Sequence, residues 1–162
     1  MRIDVALRDT HRAERELAEE LLRVGERHAT EQDVHHMTRT LAAISREGVG
    51  ALAEIGPAYG AELDAETDDE ESSGPLAAVR EKVAVLVGRR PEPGLLLLHD
   101  LRTLYLLASE ASVNWVMLGQ AAQAARDPTL LDLVSRHHPQ TLRQARWALT
   151  RIKEAAPQVL TA

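Results

Sequence analysis

Apolar residues along this chain recur every three or four positions in four long stretches, the spacing of one face of an α-helix. In the first, expected over residues 9–28, Ala13, Leu17, Leu21 and Val24 form the stripe, and Arg12, Glu16, Glu19, Arg23 and Glu26 occupy the other faces. A break is expected near Ala29 and Thr30. Thr30 with Asp33 three residues later reads as a capping-box-like start of the second helix. Val34, Met37, Leu41, Ile44, Gly48, Ala51 and Ile55 then alternate steps of three and four, the mark of a helix packed on its neighbours at a shallow angle. Gly48 and Gly50 interrupt it, and their low helix propensity calls for compensation by close approach. Gly56-Pro57 ends the hairpin.

A polar interval follows. Glu62 to Glu71 is acidic with no basic residue, and Ser72-Ser73-Gly74 extends it as a solvated loop. Pro75 opens a short helix with Leu76, Val79, Val83 and Leu86 on one face, closed by Gly88. The third long helix carries Leu97, Leu101, Leu104, Ala108, Ala111, Trp115, Leu118, Ala122 and Ala125 in an unbroken four–three repeat. Leu106, Val113 and Met117 add a second stripe, which predicts a central position in the bundle. Asp127-Pro128 supplies an N-cap and a first-turn proline for the fourth helix, expected to run to about residue 155. Pro139 inside it predicts a kink or short break near 136–138.

These elements predict an all-α, up-down-up-down four-helix bundle. Hairpins at 9–56 and 95–156 are joined by an acidic loop and a short extra helix at 57–94, in one domain spanning 1–162. Composition narrows the reading further. Aromatics make up 2% of 162 residues and Phe is absent, which speaks against an all-β fold. Without Cys there are no disulfides, thiol nucleophiles, iron–sulfur clusters or Cys-based zinc sites. A net charge of −6 argues against nucleic acid as a partner. The first ten residues lack the apolar core of a secretory signal, and His99, Asp100 and Arg102 break the most apolar stretch too early for a membrane span. The expectation is a soluble, cytoplasmic chain. No phosphate-binding glycine loop, Gly-x-Ser-x-Gly elbow or His-Glu-x-x-His pair is present, so the reading leans against an enzyme.

Some polar residues nonetheless fall among apolar ones. With both short turns at one end, Glu14, Glu47, Glu110 and Gln144 each lie sixteen or seventeen residues from their turn, and hence at one level. Glu110 stands among Leu106, Val113 and Met117, and Glu14 among Leu7, Leu17 and Leu21. An inward carboxylate must be paired, hydrogen-bonded, protonated or metal-bound. The set Glu14, Glu47-x-x-Gly50, Glu110 and Gln144-x-x-Trp147 resembles the ligand pattern of the ferritin-like di-iron carboxylate bundles. That family places one Glu on one helix of each pair and Glu-x-x-His on the other. The resemblance implies the fold and a central metal level. Both His ligands are replaced here, by Gly50 and Trp147, and one Glu by Gln144.

Histidines raise a second metal reading. His28, Glu31 and His35 recur at steps of three and four, a spacing open to zinc or iron, although a turn at Thr30 separates His28 from the others. His138 follows Leu131 and Val134 on the fourth helix at the level of Trp115, as a satisfied core histidine or as part of a pocket. Three functions stay open. One is a ferritin-like bundle without an oxidase site that serves as a binding or assembly module, paired as a homodimer through Leu95–Leu98 and the Leu106 stripe. Another is a divergent iron- or zinc-binding redox or iron-handling protein. The last is a small-molecule binder with a core pocket near Gly50, Glu110, Gln144 and Trp147. No motif demands a cofactor, and neither the ligand nor a partner protein is named by the sequence.

Overall fold

The computed structural model describes residues 2–65 and 92–162. The short helix expected at 75–88 and residues 66–71 of the acidic loop lie outside them. Among the described residues, four α-helices form where the periodicity places them: α1 (Ile3–Arg27), α2 (Gln32–Ile55), α3 (Pro93–Ala125) and α4 (Pro128–Leu160). Helix α1 starts six residues earlier than expected, because Ile3 and Leu7 extend its buried stripe past the charged Arg2, Asp4, Arg8 and Asp9. Thr30 does not cap α2; its N-cap is Glu31, whose side chain makes no capping bond. Gly56 to Tyr59 forms a 3₁₀ turn that ends in Gly60 at φ +76°, a left-handed position suited to glycine. Asp127 caps α4 as its sequence predicts, its Oδ1 accepting from the amides of Thr129 and Leu130 at 3.0 and 3.1 Å.

Helix α4 runs unbroken through Pro139, against the expected interruption. The carbonyl that the proline leaves without its helical donor belongs to Ser135, an exposed residue, so the lost bond does not leave a buried group unsatisfied.

The direction of the second hairpin also differs from expectation. Arg27 Nη1 lies 2.7 and 2.8 Å from the two oxygens of Asp100, and His28 Nε2 lies 2.8 Å from Oδ2. The α1–α2 turn therefore sits beside the start of α3. At the other pole the Tyr59 hydroxyl donates to Asp127 Oδ2 at 2.6 Å, which places the end of α2 beside the α3–α4 turn. The two short turns lie at opposite poles, not at one end. The order is up-down-down-up, and α3 runs antiparallel to α1. Apolar periodicity is the same whichever way a helix points, so these polar contacts are what reveal direction.

Apolar side chains cluster on both sides of the bundle's midpoint. Leu17, Leu21, Val24, Val34, Leu41, Leu104 and Ala108 pack toward the Asp100 pole. Leu7, Leu52, Trp115, Leu118, Leu130 and Leu133 pack toward the Asp127 pole. Helices α1 and α2 approach closely at Gly25, where an added Cβ would run into the Thr38 hydroxyl. Contacts are dense for α1–α2, α1–α3 and α3–α4, and sparse along the α2–α4 seam. Among the described residues, no helix is long and apolar enough to cross a membrane.

Asp100 is fully buried. Burial alone would raise its pKa, but the hydrogen bond from His28 and the charge and hydrogen bonds of Arg27 bring the carboxyl below its ordinary range. Asp100→Ala is expected to cost about 3 kcal/mol, the low end for an orphaned buried pair because Arg27 can reach water. The folded pKa is depressed, so the stabilisation is present above the unfolded value and lost as pH falls through the folded one. Urea unfolding should show the wild-type advantage over Asp100→Ala shrinking in acid.

Candidate functional site

Between the two apolar clusters lies a layer of polar side chains drawn from all four helices. Its centre is Glu14 of α1, whose neighbours Leu7, Leu17 and Leu21 share its buried face. The Trp115 indole Nε1 of α3 donates to Glu14 Oε1 at 2.6 Å, and the Thr141 hydroxyl of α4 donates to the same oxygen at 2.9 Å. Glu14 Oε2 is buried and receives no hydrogen bond. Beside it, Ser45 of α2 accepts from Gln144 Nε2 at 2.8 Å, and the same amide nitrogen donates to the Leu41 carbonyl at 2.8 Å.

Burial pushes the Glu14 carboxyl above its ordinary pKa, and the groups at Trp115, Ser45 and Thr141 offset only part of that. The bond pattern fits a neutral acid. In that form Oε1 acts as a carbonyl accepting two donors, and the proton belongs on Oε2, the oxygen that accepts none. An ionised carboxylate would leave Oε2 bare in an apolar interior.

His137 stacks on Trp115 with centroids 5.6 Å apart and planes 15° from parallel. Burial is the main cause that lowers its pKa, with help from Arg136 and some opposition from Glu47. Gly48 completes the layer. A Cβ there would meet His137 Nδ1 at 3.6 Å and Glu14 and Trp115 at 3.9 Å, which is ordinary contact. His138 turns aside and shares a 3.0 Å hydrogen bond with Ser112.

The residues expected as metal ligands separate. Glu14 and Gln144 face inward as expected, but Glu47 and Glu110 are exposed. Helix α3 is rotated so that Leu101, Leu104, Ala108, Ala111, Trp115 and Leu118 face the core. Leu106, Val113 and Met117 therefore point outward, and Glu110 goes with them, lying 4.0 Å from Arg12. His28 is engaged by Asp100, His35 Nδ1 bonds the Gly25 carbonyl at 2.9 Å, and Glu31 is exposed. Among the described residues, no group of three or more His, Asp or Glu is placed to hold a metal ion.

The expected core pocket is also displaced. Nothing lies within 4 Å of a Cβ built on Gly50, and His138 is held by Ser112. Trp147 instead lines a groove of about 300 Å³ on the α2–α4 seam, with Asp33, His36, Met37, Thr40 and Arg151. The parts of the polar layer missed in the sequence are Trp115, Thr141, Ser45 and His137. Trp115 carried one signal, since a buried indole N–H needs an acceptor and Glu14 was one of three carboxylates expected to point inward.

Comparison with protein-family models, with curated proteins and with solved structures finds no match to this chain.

The polar layer makes a pH prediction. The folded pKa of Glu14 is raised, so its contribution is complete below the unfolded value near 4.5 and is lost as pH rises through the folded value. The nearest ionisable group is His137 on α4, stacked on the Trp115 that binds Glu14; Arg136 and Glu47 act on His137, and α3 presents the non-ionising Trp115. Glu14→Gln imitates the neutral acid and leaves those neighbours unchanged. In chemical denaturation, wild type and Glu14→Gln should be similar in mild acid, and wild type should lose ground as pH rises. Parallel profiles would mean that the Glu14 carboxyl ionises alike in the folded and unfolded chain, and would overturn the raised pKa.

Proposed function

We propose that this chain is a non-catalytic, ferritin-like helical bundle that serves as an assembly module, pairing with a second copy through the outer face of α3. The observation that carries the reading is a stripe of large apolar side chains on that helix: Leu106, Val113, Val116 and Met117 are 53%, 57%, 45% and 49% exposed. Single exposed apolar residues are ordinary on protein surfaces. Four on one helix within three turns form a patch whose solvation favours burial against another surface. An antiparallel two-fold pairing centred near residues 111–112 sets Leu106 of one copy opposite Met117 of the second copy.

Two further features support the reading. A pair of antiparallel hairpins with turns at opposite poles requires one long connection, as in ferritin-like bundles. The mid-bundle layer is built on one carboxyl whose pKa burial raises and on uncharged donors, with Glu47 and Glu110 on the outside. That arrangement serves packing and orientation rather than metal chemistry.

Sedimentation and light scattering test the pairing. Wild type is expected to be a dimer whose melting temperature rises with protein concentration. Val113→Asp should be a monomer with unchanged helix content, because the site is exposed in the single chain. A wild type that stays monomeric at high concentration would overturn the reading.

A further inference from the structure

The α2–α4 seam is the one side where neighbouring helices of this bundle make few contacts, and its groove is built from two short helical faces. Helix α2 contributes Asp33, His36, Met37 and Thr40, the residues at i, i+3, i+4 and i+7. Helix α4 contributes Trp147 and Arg151, one turn apart. The floor is apolar and polarisable: a half-buried indole and the thioether of Met37, which is 39% exposed.

The rim decides the charge of a fitting occupant. Arg151 Nη1 is bound by Glu154 Oε2 at 2.9 Å, so the cation lining the groove is already partnered. The Asp33 carboxylate has no ion pair or hydrogen bond among the described residues. The nearby formal charges are thus one neutralised pair and one unpaired carboxylate. An indole face and a thioether favour a soft cation with an apolar body, and a lone carboxylate on the rim attracts the same group. A volume of about 300 Å³ suits a small molecule at the lower end of the size range for ligand pockets.

We propose that this groove binds a small organic cation, an ammonium group carried on an aromatic or aliphatic body, with Trp147 under the cation and Asp33 beside it. The site is separate from the outer face of α3, so it stands or falls independently of the assembly reading.

The chain supplies its own reporter. It has two tryptophans; Trp115 is fully buried and Trp147 lines the groove. The full-length protein would be titrated with benzyltrimethylammonium while tryptophan emission is followed. Benzenesulfonate and benzyl alcohol serve as anionic and neutral matches. The expected result is a saturable change with the ammonium compound alone. Isothermal calorimetry, which does not depend on the fluorophore, should show Asp33→Asn weakening the interaction roughly five- to tenfold and Trp147→Ala abolishing it. Asp33 is exposed, so its variant is expected to fold, and circular dichroism checks this for both. Absence of a saturable signal would overturn the proposal. So would equal binding of the sulfonate or the alcohol, or an Asp33→Asn variant that binds as well as wild type.

Discussion

A carboxylic acid in the middle of an apolar bundle constrains everything around it. Glu14 must find donors for its buried oxygens, and α3 and α4 supply two to Oε1, while Oε2 is left without a hydrogen bond. Trp115 and Thr141 converge on one oxygen, and Gln144 ties α4 to Ser45 and Leu41 of α2 in the same layer. Each of these bonds forms at a single registration of its helix against its neighbour. The apolar clusters on either side tolerate small slips, because one leucine replaces another at similar cost. The polar layer does not, since a slip leaves buried groups unsatisfied. The rotation of α3 follows from this: the face that presents the Trp115 indole to Glu14 is also the face that turns Glu110 out to solvent.

Much of the fold was legible from spacing alone. The four helices, the inward stripe of α3, the Asp127 cap and the end of α2 at Gly56 all follow from local rules that act within a few residues. What stayed hidden was the choice between faces and directions. Helix α3 offered two apolar stripes, and Glu110 belonged to the one that faces water. The single level expected for Glu14, Glu47, Glu110 and Gln144 rested on the direction of the second hairpin and went with it: Glu14 meets Trp115, Thr141 and Gly48, while Gln144 reaches Leu41 and Ser45. Rotation about the helix axis was equally hidden.

Direction depended on contacts between distant residues. Asp100 with Arg27 and His28, and Tyr59 with Asp127, join positions about seventy residues apart. Asp127 illustrates the economy of these contacts. One oxygen caps α4 and the other receives the Tyr59 hydroxyl. Burial and that same bond push the tyrosine pKa up to about 12, so it remains a donor through the physiological range. Nothing in the local sequence around Tyr59 announces this partner.

The up-down-down-up order also gives the molecule a polarity from end to end. Helix α1 begins at the Asp127 pole, and α4 finishes at the Asp100 pole, where Val159 packs on Gly94. A 33-residue helix is roughly 50 Å long, so the outer ends of the two hairpins are separated by nearly the full rod. Cargo fused to one end and cargo fused to the other would be held apart as by a rigid spacer, and a short peptide could not join the two ends into a circular permutant.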